Sequence, residues 1–313
     1  MEEQNLSSTV TEFVLLGLTQ NAELKRCLFV LYFIVYPTTW LGNFTIITTV
    51  ITSRWLHTPM YFLLANLSFL VVSDSSVNAP ILLLGLLSQR RTISFNECIL
   101  QMFFFHFIAC AMVVVLVVMA ADRYIAIYKP LWYLTIMNRG VCMGLVAGAW
   151  LGGLAHSAVQ IALILQLSFC GPNILDNFYC DIPQVIKLAC TDIYLVELLM
   201  VSNGEMLVIV MFIILLISYT IIFVKIKTHV TDEKHKALST CGSQITVVCL
   251  QFIPCIFIYS RLFWKLPMDK LASIIYTVIT PMLNPMIYML RNSEMKKAIR
   301  RMMSRILSSG KKL

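Results

Sequence analysis

The sequence predicts an all-α membrane protein: a seven-transmembrane helix bundle followed by a short amphipathic cytoplasmic helix. Of its 313 residues, 59% are hydrophobic and only 13% charged, and the mean hydropathy is positive, a balance that no soluble domain of this size could hide in one core. A helix needs roughly 20 apolar residues to cross the hydrocarbon. Windows free of Asp, Glu, Lys and Arg occur at about 27–53, 98–121, 140–175, 237–260 and 271–290, and two more, 58–80 and 198–224, are interrupted only by Asp74 and Glu205. With the N-terminus outside, 16 of the 24 Lys and Arg fall on cytoplasmic pieces, while 10 of the 16 acids fall on outer ones. That is the positive-inside pattern.

Along the chain, residues 1–25 form an extracellular N-terminus. Its start, "MEEQNLSSTVTEF", is acidic and polar, without a basic n-region or a short apolar core, so no cleavable signal peptide is expected and the first span acts as its own insertion signal. Asn5-Leu6-Ser7 is a glycosylation sequon on the outer side. The similar triplets at Asn43 and Asn66 fall within spans, out of the transferase's reach. The seven-helix bundle occupies 26–290. Thr58-Pro59 reads as the N-cap and first-turn proline of span two. Pro254 and Pro285 sit inside spans six and seven, where each removes a backbone hydrogen bond and permits a hinge or a static bend. Connections are short apart from a loop of roughly 30 residues between spans four and five. With no internal repeat and no low-complexity tract, residues 1–313 read as one membrane domain.

After span seven, residues 291–313 carry "RNSEMKKAIRRMMSRIL". Met295, Ile299, Met302 and Ile306 recur at helical spacing, and Lys296, Lys297, Arg300, Arg301 and Arg305 take the other faces. This predicts an interfacial helix on the anionic inner leaflet. No cysteine follows Cys255, so the helix has no palmitoyl site.

Six of the ten cysteines, Cys27, Cys110, Cys142, Cys241, Cys249 and Cys255, fall in or near spans, where a thiol behaves as a small apolar side chain. The other four, Cys98, Cys170, Cys180 and Cys190, face an oxidising compartment, and two disulfides are expected among them. Their number leaves three connectivities open. A long loop pinned to the top of span three would roof a cavity between the helices.

Several functions are excluded by the same residues. The net charge of +8 follows from membrane topology and does not indicate a nucleic-acid partner. No His/Asp/Glu cluster has metal-ligand spacing and no nucleophile sits beside a base, so neither an enzyme nor a metal or other cofactor is expected. A small-solute transporter stays a weaker alternative, because only Asp74 and Glu205 charge the spans.

Span three ends in "MAADRYIAIYKPLWY" (119–133). Together with "LHTPMYFLLANLSF" (56–69), "KALSTCGSQ" (236–244), "PMLNPMIY" (281–288) and a Cys-x9-Cys-x9-Cys loop, it resembles the odorant receptors of the rhodopsin-like G-protein-coupled class, from about residue 10 to residue 300. The resemblance implies that Asp122 pairs with Arg123 at rest, beside Tyr124, and that the released arginine meets the G protein when the inner half of span six swings outward. An arginine at a water-lined rim stays charged and an adjacent acid holds its rotamer; the alternative is a snorkelling pair that only sets depth. By the same resemblance Tyr219 receives the freed arginine, Asn284, Pro285 and Tyr288 match the NPxxY switch, and Ser239, Thr240 and Cys241 match the inner signature of span six. It also implies the pairs Cys98–Cys180 and Cys170–Cys190.

Departures from the family pattern are Val71 and Met112, where an aspartate and a glutamate usually stand, Gln244 for His, Gln251 for an aromatic, and Ala121 and Tyr128 for Tyr and Cys. Without the acidic pair no sodium ion is expected there, and Asp74 lies about one turn further along the same face. The family's pocket positions fall on Phe105, His106, Ala109 and Cys110, on Asn203 and Leu207, on Phe252, Cys255, Ile256 and Tyr259, and on Thr277. That lining suits a small, neutral, largely hydrophobic odorant-like ligand, with His106, Asn203, Tyr259 and Thr277 as hydrogen-bonding handles. His106 and Asn203 could equally bond a neighbouring helix, and the run "FFFHF" (103–107) reads as packing. Retinal binding is excluded because 271–290 holds no lysine, and amine binding because Phe105 stands where amine receptors carry an aspartate. The resemblance implies an odorant receptor of the plasma membrane that activates a stimulatory, olfactory-type heterotrimeric G protein. A receptor fold with weak or lost signalling is the alternative that Val71, Met112 and Gln244 raise.

Overall fold

The computed structural model describes residues 10–88, 91–170, 173–228, 234–259 and 269–310; Asn5 lies outside them. Among these residues seven helices are long and apolar enough to cross a membrane: Ala22–Thr52, Pro59–Leu87, Phe95–Tyr128, Arg139–Leu165, Tyr194–Ile226, Leu238–Ile258 and Lys270–Arg291, spans one to seven. Local signals start them. The Asn21 side chain accepts from the amides of Glu23 and Leu24, and that of Asn138 from Val141. Ser94 and Glu97 close a reciprocal capping box at the head of span three. Thr58 stands at the N-cap of span two and Pro59 in its first turn, as their order predicts, and the Thr58 side chain makes no capping bond.

Span four is shorter than its charge-free window of 140–175. It stops at Leu165 after 27 residues, already about 40 Å of helix and longer than a bilayer core. The residues beyond are apolar for a different reason. Leu167 and Phe169 are buried in a cap over the bundle, where Phe169 bridges to Ala189 and a disulfide joins Cys170 to Cys190.

That cap contains, among the described residues, a departure from an all-helical reading. Strand β1 (Glu12–Leu15) pairs antiparallel with β2 (Arg91–Ser94) and parallel with β3 (Ile174–Leu175), in the order β2-β1-β3. In β1, Phe13 and Leu15 are buried while Glu12 is exposed, the alternation of a half-buried strand. Phe13 packs against Phe95 and Phe169 at ring separations of 6.0 and 6.2 Å.

Within the bundle, span three is the axis, with 61% of its most apolar window buried. Small residues let its neighbours come close. A Cβ on Gly153 would stand 2.6 Å from the Phe107 carbonyl oxygen, and one turn on the Ser157 hydroxyl donates to the Phe103 carbonyl at 2.6 Å. Gly42 likewise leaves only 2.9 Å between its missing Cβ and Pro285 Cγ. At the opposite end from the sheet, Ser293–Gly310 forms the final helix. Asn292 caps it by accepting from the amides of Glu294 and Met295, and also accepts from the Tyr61 hydroxyl at 3.1 Å. Met295 and Ala298 are fully buried against the bundle, and the Arg301 guanidinium lies over the Trp55 ring at 4.6 Å. The side chains of Arg305 and Ile306 lie outside the described residues.

Because backbone rather than a flexible side chain faces Gly153, Gly153→Ala should lower stability by about 1–3 kcal/mol. Gly148→Ala, whose Cβ would meet nothing within 4 Å, should be neutral. Thermal melts of the purified protein in detergent compare the two.

Candidate functional site

The sheet end of the bundle encloses a hollow of about 780 Å³ counting its mouth, with about 80 Å³ of free space at its centre. It lies between spans three to seven and under the loop that joins spans four and five. Five residues singled out from the sequence line it: His106, Ala109, Cys110, Leu207 and Cys255. The helical period explains the span-three members, which with Val113 repeat every three or four positions along one face.

The remaining candidates stand elsewhere. Phe105 is 2% exposed and packs edge-on against Tyr276 at 5.9 Å, behind the wall. Phe252 stacks on Phe212 at 5.4 Å, and Ile256 packs into the main core beside it. Thr277 donates to the Ser273 carbonyl at 2.7 Å and faces a separate recess with Tyr32. Asn203 is exposed. It sits in a π-helical turn, Val201–Glu205, where Gly204, not Asn203, lines the hollow. The Tyr259 side chain lies outside the described residues.

Sequence reasoning missed the contribution of span four and the loop. His156 and Gln160 line the hollow, as do Ile182, Pro183 and Ile186 from the loop, Met200, Gly204 and Val208 from span five and Tyr276 from span seven. One signal was present in the sequence: His156 and Gln160 are polar residues four apart in an uncharged span, and so share a helix face. The loop residues gave none, since nothing in their order tells how the loop folds back.

Covalent and polar links hold this roof down. Cys98 at the head of span three is bonded to Cys180. The Cys180 amide donates to Gln101 Oε1 at 3.1 Å, and Gln101 Nε2 donates to Asn78 Oδ1 at 3.2 Å. Tyr179 is 1% exposed, packs on Phe178 and Phe105 and lies 3.5 Å from Ser273 Oγ. Its burial, with Asp181 nearby, raises the phenol well above its ordinary pKa, so it stays a neutral hydrogen-bonding group. Lys270 reaches Asp176 at 2.7 Å and the Gly17 carbonyl at 3.1 Å, an exposed clasp of small energetic weight. In the wall, His106 Nδ1 lies 2.8 Å from the Met102 carbonyl. A carbonyl only accepts, so that nitrogen carries the hydrogen.

The other end of span three holds the charged cluster. Asp122 is fully buried, and Oδ2 accepts from Arg123 Nε at 3.1 Å and Nη2 at 2.7 Å. Its second oxygen, Oδ1, accepts from the Tyr133 hydroxyl at 2.7 Å. Burial first, and then the Asp122 carboxylate, raise the Tyr133 phenol above its ordinary pKa, so this donor keeps its proton. Tyr124 is exposed and stacks on Tyr128 at 4.5 Å. The Tyr219 hydroxyl meets Gln244 Oε1 at 3.4 Å, joining spans five and six, and the Ser239 hydroxyl donates to the Arg291 carbonyl at 2.9 Å, joining spans six and seven. Cys241 is buried beside Arg123. Asn284, Pro285 and Tyr288 are buried in span seven, Asn284 Oδ1 and the Tyr288 hydroxyl without a hydrogen-bond partner among the described residues. Val71 and Met112 are 1% and 3% exposed and belong to the main apolar core. One turn beyond Val71, Asp74 is buried and its Oδ1 accepts no hydrogen bond from the described residues.

Comparison with known proteins gives a consistent result. A protein-family model described as "Olfactory receptor" matches residues 29–306. Among curated relatives, Olfactory receptor 4D1 of Homo sapiens is 55% identical, covering 96% of this chain and 97% of its own length. Olfactory receptor 4E2 of Mus musculus is 49% identical with the same coverages, and Olfactory receptor 4N5 of Homo sapiens is 50% identical over 97% of this chain and 98% of its own.

The Tyr133 hydroxyl is a neutral donor to a buried, charged acceptor. Tyr133→Phe should therefore cost about 1–3 kcal/mol of stability, read as a lowered melting temperature. An unchanged melt would show that the bond carries no net energy.

Proposed function

This chain belongs to the olfactory receptor family, whose members are multi-pass plasma-membrane receptors that bind odorants, couple to G proteins and are not enzymes, and on that footing we propose how it works. A small, largely hydrophobic odorant binds in the hollow, and the bound state favours a helix arrangement that activates a stimulatory heterotrimeric G protein. The N-terminus, 1–25, lies outside and carries a glycan at Asn5. The bundle, 26–290, spans the membrane, and 291–313 lies along the cytoplasmic leaflet.

The observation that carries this reading is the placement of two sites on one helix. His106, Ala109 and Cys110 of span three line the hollow, and Asp122 and Arg123 of the same span form the buried pair at the other end. His106 and Asp122 are 16 residues apart, about 24 Å along the axis. A ligand can shift an equilibrium only by binding two arrangements differently. Leu207 and Cys255 bring spans five and six to the hollow, so a ligand that packs better with those spans moved would bias their inner ends. The Phe212–Phe252 stack and the Tyr219–Gln244 contact tie the two spans together along the way.

At the inner end, movement of span six would uncover Arg123, Tyr219 would receive it, and Asn284, Pro285 and Tyr288 would rearrange around it. Tyr124 would border the same face. One observation favours a second reading, weak or lost signalling: Val71 and Met112 are packed as apolar core where related receptors keep acids, leaving Asp74 alone.

The test is an odorant screen in cells with a cyclic-AMP readout. Arg123→Ala at equal surface expression should abolish the response, and Ala109→Trp should raise the half-maximal odorant concentration at least about tenfold, roughly 1.4 kcal/mol, by filling the hollow. A surface-expressed protein that binds odorant without raising cyclic AMP would establish the second reading. Solute flux without signalling would overturn both.

A further inference from the structure

Gln160 on span four is 3% exposed and lines the hollow, yet its Oε1 has no hydrogen-bond partner among the described residues. A buried amide oxygen without a donor is a cost that folded proteins seldom leave standing. The space it faces is walled chiefly by carbon, from Val113, Ile186, Met200, Leu207 and Val208. The other polar groups around that wall are differently engaged. His106 gives its Nδ1 hydrogen to Met102, the Tyr276 ring packs edge-on against Phe105, and His156 is half-buried.

Opposite the amide stands Gly204, presented by the π-helical turn of span five. A Cβ there would lie 3.5 Å from Gln160 Nε2, so glycine keeps the amide's approach open. At Gln160 Oε1 the hollow therefore offers a buried acceptor, without a partner among the described residues, at the edge of an apolar volume, which matches a molecule with one donor and a hydrocarbon body. Among the described residues that line it no carboxylate stands to neutralise an ammonium, which makes a hydroxyl the fitting donor and not a charged amine.

We propose that Gln160 is the polar anchor of the odorant site and that this receptor favours alcohols and phenols, whose hydroxyl donates to Oε1 while the hydrocarbon fills the remaining hollow. The assignment rests on the reading of the hollow as the ligand site. It also adds a specificity residue on span four to those expected on spans three, five, six and seven. A site built around a hydrogen bond to a hydroxyl rejects the analogue that lacks it, because its own polar group is then left unpaired.

The test uses matched pairs: menthol with menthone, borneol with camphor, and 4-ethylphenol with 4-ethylanisole. Ligand-induced thermal shifts of the full-length receptor in nanodiscs report binding, and cyclic AMP in cells reports signalling. The hydroxyl member of at least one pair should bind wild type at least about tenfold more tightly than its partner, and Gln160→Met, similar in volume, should bring the two within about twofold. Equal or weaker binding of every hydroxyl member, or no thermal shift from any of them, overturns the proposal, and the wild-type comparison decides this even if the variant does not fold. The two readings separate cleanly. Hydroxyl-selective binding lost in Gln160→Met but without cyclic AMP keeps the anchor and removes the signalling function; cyclic-AMP responses indifferent to the hydroxyl and to Gln160 do the reverse.

Discussion

A peptide group inside hydrocarbon has no water to bond with, so every backbone N–H and C=O must find its partner within the protein. Nearly everything else in this structure follows from that constraint. It makes the seven spans helical, and it leaves side chains as the only means of varying the bundle. It also makes the two π-helical turns, Val201–Glu205 and Ile275–Ile279, informative. Each departs from the regular ladder without abandoning backbone bonding, and each contributes a residue to the hollow, Gly204 and Tyr276. In both turns the backbone deviates beside the hollow, where a wall has to be re-aimed.

The same constraint governs the polar side chains. Some buried hydroxyls in the spans bond back to the carbonyl four residues earlier, as Thr39, Ser75 and Thr277 do, and so ask nothing of their neighbours. Others reach across within the spans, as Ser157 does to the Phe103 carbonyl and Thr280 to the Leu250 carbonyl, and further ties stand at the ends: Gln101 with Asn78 and Cys180 under the roof, Tyr133 with Asp122, and Tyr61 with Asn292 at the tail. Close packing at small residues such as Gly42 and Gly153 supplements them. The bundle is thus held partly by shape and partly by polar ties, several of them at its two ends.

Much of this architecture was legible in the sequence. Charge-free windows mark spans because a charge in hydrocarbon is expensive, and the face of span three that lines the hollow follows from its period. The extent of span four was not legible, because Leu167 and Phe169 are as apolar as a membrane segment while serving a capped loop. Nor was the sheet: strands of four residues or fewer, drawn from segments far apart, leave little periodicity to read. That Gly204 and not Asn203 faces the hollow could not be read, because a local π-helical turn cannot be seen in residue order. Gln160 was passed over for another reason. An amide in a span reads equally as interhelical glue, and only its missing partner distinguishes it.

The sheet over the hollow has a consequence for how the molecule is made. Strand β1 precedes both of its partners in the chain, Ser94 and Ile93 on one side and Ile174 and Leu175 on the other. The first edge exists only once span two has been inserted, and the second only once span four has returned the chain to the same face of the membrane. Phe13 and Leu15 therefore reach the complete sheet only after span four. Closing the lid is a late step of biogenesis, and until it closes an apolar strand is open to chaperones and to other unpaired edges.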